Sequence, residues 1–537
     1  MSRNASATIC ARSSATTSSR LGRPRRLRCS ASRMSSPAFA SIGPVSARHV
    51  AISSRIEVAI PCSANPRRRL STNKLYDVQL LSMRRWRCRS SASRQIDGRQ
   101  IMDAARRNRV IDDELVEARS RYAERRPKSL AVHQRACEVM PGGNTRTVLY
   151  HGPFPLRLAH GQEAVATDAD GHRYVNLLGE YTAGLFGHSH PVIRAAIDAA
   201  LDGGVNLGGH NLFEAELARH VVARFTAIEQ VRFTNSGTEA NLMAIATARA
   251  FTKRSKVLVF RGGYHGGLLY FGGGGILINA PYDFIVAPYN DTEATARLIR
   301  ENAPDLACVL TEAMMGSGGC IPARPDFLAM VSEETRAAGA LLILDEVMTS
   351  RFGRSGAHGL LGLDPDLVTL GKWIGGGMSF GAFGGRADIM AMYDPERPGS
   401  LPHAGTFNNN VLSMSAGIAA LTQVFTPEIA EELHARGERL RERLNEVFRK
   451  ADVALLASGQ GSLMTIHGFR GPVNTPDDLA GSDDRIKELV FLDLLERGFY
   501  LARRGFIALS LAVDDAATEQ FLAALRDIVT ERRHVLA

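Results

Sequence analysis

Apolar and polar positions keep a helical spacing from Asp113 to Met140 and stop at the turn PGGN, Pro141–Asn144. Between Ala164 and Leu177, AVATDADGHRYVNL changes to a strand-like alternation, which predicts a hairpin with Asp170-Gly171 in its turn. Beyond it, short apolar runs alternate with helical stretches: VRFT (231–234), KVLVF (256–260), FIVA (284–287), ACVLTE (307–312), LLILDE (341–346), LVTL (367–370) and GAFGG (381–385). Runs this short and apolar, most of them separated by helices, predict an α/β unit with a mostly parallel seven-stranded sheet covered on both faces. After Phe407 the pattern changes. Thr426-Pro427-Glu428 sets a capping hydroxyl before a proline at the first helical position, opening an amphipathic helix that runs towards Lys450. A strand-rich region and a last helix over about Thr518–Glu531 complete a smaller α+β unit, and no internal repeat is visible. The expected organisation is a leader (1–101), an N-terminal segment packing with the small domain (102–170), a large domain (171–405) and a C-terminal small domain (406–537).

Composition changes this picture mainly at the N-terminus. The chain has 537 residues, 45% hydrophobic and 22% charged, as in ordinary globular proteins. No run of 18 apolar residues occurs, so no membrane span is expected. The net charge of +10 is misleading, because residues 1–100 hold 20 of the 65 basic residues and three of the 55 acidic ones (Glu57, Asp77, Asp97). The remainder is mildly acidic, which argues against nucleic acid as a partner of the core. The Arg- and Ser-rich leader, without an acid before Glu57, has the composition of a transit peptide, of an over-extended start ahead of Met102, or of a basic arm. All three readings leave it disordered and outside the fold. The core keeps Cys137, Cys308 and Cys320, without metal or disulfide spacing. A reducing, cytoplasmic setting is expected.

Ligands of an open parallel sheet bind beyond the carboxyl ends of its strands, and four features fall there. In RFTNSGTEANLMAIATARAF a strand ends at Thr234 and Asn235-Ser236-Gly237-Thr238 opens a helix, either as a plain N-cap or as a phosphate cradle of free N–H groups and hydroxyls. In FRGGYHGG, Gly262 and Gly263 turn the backbone and present Tyr264 and His265, as surface groups or as a platform for a flat ring. LLILDEVMTSR ends a buried strand in Asp345 and Glu346, which need a cationic partner: Arg351, Arg386 or a protonated ring nitrogen. TLGKWIGGGMSFGAFGG sends Lys372 into a glycine-lined, apolar place. There it either snorkels to solvent or loses its charge and becomes a nucleophile towards carbonyls. A phosphate cradle, a stacking aromatic, a carboxylate for a ring nitrogen and an amine for an aldehyde together match the four handles of pyridoxal 5′-phosphate.

From about Asp113 to the C-terminus the chain also resembles the class III, fold type I aminotransferases. NSGTEA, GGYHGG, DEVMTSR, TLGKWIGGGMSFGAFGG and GTFNNNVLSMSAG match in order and spacing. DEVMT with GKWIGGGM looks like the branch containing glutamate-1-semialdehyde aminomutase. MPGGNTRTVLYHGPFPL, GEYTAGLFGHSHP, NLGGHNL and RRGFIALSL look most like bacterial β-amino-acid aminotransferases that act on β-phenylalanine.

The resemblance implies that Lys372 carries the cofactor as a Schiff base, that Asp345 pairs with the pyridinium, that Ser236, Gly237 and Thr238 hold the phosphate, and that Tyr264 covers the ring. Thr406 would reach the phosphate of a neighbouring subunit, implying a homodimer with its active site at the interface. Arg146 and Arg504 match two arginines that hold substrate carboxylates. Ala313 and Met315 depart from the Pro and Gln of many relatives, which leaves open the loop shape beside the cofactor. The expected activity is transfer of the amino group of a β-amino acid to 2-oxoglutarate or pyruvate. An aminomutase is the alternative; it keeps the amino group within one substrate and would need no second arginine such as Arg504. A cofactor-binding DNA regulator would need a helix-turn-helix, and residues 1–100 have no periodic helices.

Overall fold

Proline sets the first break in the chain. A computed structural model describes residues 98–537, with side chains from 108 on. Helices span Gly98–Arg125 and Pro127–Val139, where the spacing predicts one continuous pattern. Pro127 lacks an N–H and its ring excludes the residue before it from helical geometry, so Arg126 adopts φ −128° and ψ 51° and separates the two. The leader expected over 1–101 lies outside the described residues, except that 98–101 open the first helix. The hairpin forms as predicted, Val165–Asp168 against Arg173–Asn176 in antiparallel register. Its second strand also pairs in parallel with Phe499–Tyr500, tying the N-terminal segment to the C-terminal part of the chain.

The seven apolar runs become the seven strands of one sheet: β1 (Gln230–Thr234), β2 (Lys256–Phe260), β3 (Asp283–Ala287), β4 (Leu306–Glu312), β5 (Leu341–Asp345), β6 (Leu367–Gly371) and β7 (Gly381–Gly385). Their spatial order is β1-β7-β6-β5-β4-β2-β3. Four of the six strand-to-strand contacts are parallel, and the two made by β7, with β6 and with β1, are antiparallel. Every residue of β4, β5, β6 and β7 is buried, as expected of strands covered on both faces. Side chains alternate between two cores. Val257 and Val259 of β2 pack with Ala240, Ala244 and Ala248 of the Gly237–Thr252 helix, while Leu258 and Phe260 pack with Phe327, Leu328 and Val331 of the Pro325–Ala337 helix.

The C-terminal region contributes an antiparallel sheet of Leu456–Gln460, Leu463–His467 and Phe506–Ala508. Thr426 caps the helix Pro427–Ala451 as the sequence predicts, accepting from Ile429 N. The final long helix spans Asp515–Glu531. Among the described residues, no helix is long and apolar enough to cross a membrane. Cys137, Cys308 and Cys320 are free thiols, the last two buried.

Candidate active site

At the carboxyl ends of β1, β4, β5 and β6 the chain gathers most of the residues singled out above. β1 ends at Thr234, and Ser236 caps the Gly237–Thr252 helix by accepting from Glu239 N at 3.2 Å. The cap leaves the N–H groups of Gly237 and Thr238 without a hydrogen-bond partner among the described residues. Those donors sit at the positive end of a 16-residue helix, with the Ser236 and Thr238 hydroxyls beside them. The cradle is tight: a Cβ on Gly237 would lie 2.8 Å from both methyls of Val347, two residues beyond Asp345. This donor set fits a phosphate ester.

Asp345 ends β5, 5% exposed. Its Oδ2 accepts from Asn241 Nδ2 at 2.9 Å and lies 2.8 Å from His265 Nδ1, and its Oδ1 accepts from Val347 N at 2.9 Å. Three of its four lone-pair directions are thereby used, leaving one for a protonated ring nitrogen. Burial works against a charged His265, but the hydrogen bond and charge of Asp345, with the charge of Glu312, outweigh it and raise its pKa. Neither arginine offered as a partner pairs with Asp345 or Glu346. Glu346 accepts from Ala357 N, His358 N and His358 Nδ1, Arg351 donates to Leu509 O, and Arg386 pairs with Asp366 and Asp388.

Lys372 follows β6 directly and has φ 58°, a left-handed conformation that costs a non-glycine residue on the order of 1 kcal/mol or more. Its Nζ has no hydrogen bond or ion pair among the described residues. Burial lowers its pKa to about 8, with the charges of Asp345 and Glu312 opposing and those of Arg504 and Arg146 adding to the fall. Trp373 anchors the turn by donating to Ser350 Oγ at 2.9 Å. Three residues upstream, Thr369 Oγ1 donates to Asn241 Oδ1 at 2.8 Å.

Tyr264 is 44% exposed in the loop after β2, packed edge-on against Tyr270 with centroids 5.8 Å apart. Burial raises its pKa, while the charges of Arg146 and Arg504 lower it, so both arginines act on this aromatic. Arg504 Nη1 donates to Ser317 O at 3.1 Å and Ser317 Oγ at 3.2 Å, and its guanidinium lies 5.2 Å from the Tyr181 ring centre and 5.5 Å from that of Phe506. Arg146 is ion-paired with Glu180. Glu180, Tyr181 and Thr182 form a strained turn with φ 49°, 49° and 84°, between the two arginines.

The remaining expectations divide. Thr406 is exposed on the loop before the Val411–Ala419 helix and makes no hydrogen bond with Ser236–Thr238 among the described residues. Its loop neighbour Asn408 does accept from Asn235 Nδ2 at 3.0 Å, beside the cradle. Met315 fills the space left by two glycines: a Cβ on Gly262 or Gly318 would lie 2.7 or 2.5 Å from its sulfur. Asn241, Glu312 and the tie from His265 to Asp345 were not singled out by the sequence. A polar residue inside the apolar helix ANLMAIA, and a carboxylate closing an apolar strand, were the available signals.

The model of the family described as aminotransferase class-III matches residues 150–529. A β-phenylalanine transaminase of Variovorax paradoxus is 51% identical over 420 residues, covering 78% of this chain and 96% of the relative. The solved structure of a β-phenylalanine aminotransferase from the same organism superposes with a TM-score of 0.78 at 50% identity, covering 79% of this chain and 99% of that one. A structure described as a transaminase with PLP bound superposes with a TM-score of 0.70 at 34% identity, over 76% and 98% of the two chains. A glutamate-1-semialdehyde 2,1-aminomutase of Sorangium cellulosum is 36% identical over 425 residues, covering 75% of this chain and 97% of the relative.

Proposed function

The chain belongs to the class III aminotransferases, and we propose that it moves the amino group of a β-amino acid resembling β-phenylalanine to 2-oxoglutarate or pyruvate. One observation carries the reading. The unpaired amine of Lys372 lies within electrostatic reach of two carboxylates, Asp345 and Glu312, and two guanidiniums, Arg504 and Arg146. The 51% identity to a β-phenylalanine transaminase supports the substrate class.

Pyridoxal 5′-phosphate, when bound, supplies an aldehyde that takes up the amino group and a protonated ring that draws electrons from it. The free N–H groups of Gly237 and Thr238, with the Ser236 and Thr238 hydroxyls, bind its phosphate. Tyr264 would cover the ring, and Asp345, held by Asn241, His265 and Val347 N, would keep a proton on the ring nitrogen. Lys372 Nζ is the amine that would hold the cofactor's aldehyde. The same amine would also carry the proton taken from the amine-bearing carbon of the substrate. A pKa of about 8 leaves a usable fraction of free amine near neutral pH. Arg146 and Arg504 hold carboxylates, one common to both substrates and one on a dicarboxylic acceptor, as bidentate forks can.

Thr406 reaches the phosphate site of a second copy, so the working form is a homodimer. A cytoplasmic setting fits the three free thiols. An amino-donor panel on purified protein tests the reading, with 2-oxoglutarate and pyruvate as acceptors. Transfer from β-phenylalanine to either acceptor is expected. Isomerisation of glutamate-1-semialdehyde with no transfer from any β-amino acid would favour the aminomutase instead.

A further inference from the structure

One buried carboxylate in this region acts on Lys372 only through its charge in the chemistry above. Glu312 ends β4, 6% exposed, directly opposite Asp345 in the parallel register. No ion pair involves it among the described residues, and the neighbouring His265 gives its Nδ1 to Asp345. Its two oxygens serve two different loops. Oε1 accepts from Tyr264 N at 3.1 Å, and Oε2 accepts from Gly316 N at 3.0 Å. Tyr264 belongs to the Gly262–Gly267 loop beyond β2. Gly316 precedes Ser317, whose carbonyl and hydroxyl are the groups that Arg504 leans on.

Burying a carboxylate here is costly, and burial with the charge of Asp345 pushes the Glu312 carboxyl up to about 7, against the charge of His265 and the two N–H donors. A fold that needed only to close a strand would use an apolar residue, as β6 does with Leu370 and Gly371. The two N–H bonds are what the carboxylate offers in return.

We propose that Glu312 is a positioning residue that links the ring-covering aromatic Tyr264 to the substrate-binding Arg504, through Gly316 and Ser317, so that both are set from one carboxylate. The inference rests on the roles given to Tyr264 and Arg504 under the proposed function. It predicts that the two loops loosen together when either oxygen is lost, and that substrate carboxylate binding weakens with them.

The test uses the full chain as purified, comparing wild type with Glu312→Gln, which keeps the size but sets an NH₂ against one of the two N–H groups. Amide hydrogen exchange is read on peptides covering 262–267 and 313–319, and steady-state rates are read with β-phenylalanine and 2-oxoglutarate. Expected are exchange at least about tenfold faster in both segments, and a KM for 2-oxoglutarate about tenfold higher with kcat changed less than about threefold. Adding Arg504→Ala to Glu312→Gln should raise that KM much less than Arg504→Ala does alone. If Glu312→Gln does not fold, Glu312→Asp replaces it, keeping the charge but losing one methylene of reach, with the same expectations. Unchanged exchange in either segment, or additive effects of the two substitutions, overturns the proposal. Failure of the functional reading would appear separately, as absence of transamination in the wild type.

Discussion

Asn241 Nδ2 lies 2.9 Å from Asp345 Oδ2, while the oxygen of the same amide accepts from Thr369 Oγ1 at 2.8 Å. The amide also donates to Gly237 O at 3.1 Å and His265 O at 3.2 Å. One side chain thus ties the cradle helix, the loop of Tyr264, the acid at the end of β5 and the strand leading to Lys372. Asp345 is fixed by its surroundings before any ligand arrives, which is how a carboxylate is kept in one orientation inside a protein.

Loss of this tie should cost activity and some stability, because Asn241 is buried and its four hydrogen bonds go with it. Asn241→Ala removes one donor to a charged acceptor, worth about 1.5–3 kcal/mol, and a fall of roughly 10- to 100-fold in kcat is expected. Asp345→Asn should cost more, on the order of 10²–10⁴-fold, because an amide cannot hold a proton on a ring nitrogen. Steady-state kinetics beside a far-ultraviolet circular dichroism spectrum checks both. Near wild-type turnover in Asp345→Asn would remove its role.

The position of Lys372 implies a particular pH dependence. Burial lowers its pKa from 10.5 to about 8, so its amine is free well below the pH at which an exposed lysine deprotonates. Capture of added pyridoxal 5′-phosphate by the apoenzyme should accelerate as pH rises and level off above about 8. Folded-state pKa is depressed for a base here. Between about 8 and 10.5 the unfolded chain therefore binds the proton that the fold has released, and stability from this group rises with pH across that window. A capture rate still climbing in proportion to hydroxide above pH 9.5 would show a normal lysine.

Arg146 and Arg504 differ in their surroundings, so their variants should differ too. Arg504 is seated on Ser317 and two aromatic rings, whereas Arg146 is held by the single carboxylate of Glu180. Replacing either by Ala should lower kcat/KM in the half-reaction it serves by about 10- to 150-fold, the equivalent of about 1.5–3 kcal/mol. Donor and 2-oxoglutarate half-reactions measured separately assign each role. An arginine whose loss leaves both unchanged is not a substrate ligand.

Much of this architecture was legible because burial is written into composition. Seven apolar runs became seven strands, since strands of a sheet covered on both faces read as nearly continuous apolar runs. The reversal of β7 was not legible, because GAFGG reads alike in either direction and only its neighbours decide. Pro127 announced a break that the helical spacing overran. At the site, Lys372 and Asp345 stood out as charges after apolar strands, and Glu312 carries the same signal at the end of β4. Its meaning lay in the N–H groups of Tyr264 and Gly316, whose approach comes from loop geometry far away in sequence. Asn241 is similar, because nothing local says that its amide will meet the loop of Tyr264, Asp345 and β6.

Lys372 is the residue proposed to hold the cofactor. Borohydride reduction of the purified protein, followed by protease digestion and mass spectrometry, tests it most directly. Expected are a yellow protein that bleaches on reduction, one pyridoxyl group per chain on the peptide containing Lys372, and no covalent adduct in Lys372→Ala. A pyridoxyl group on any other lysine would contradict it.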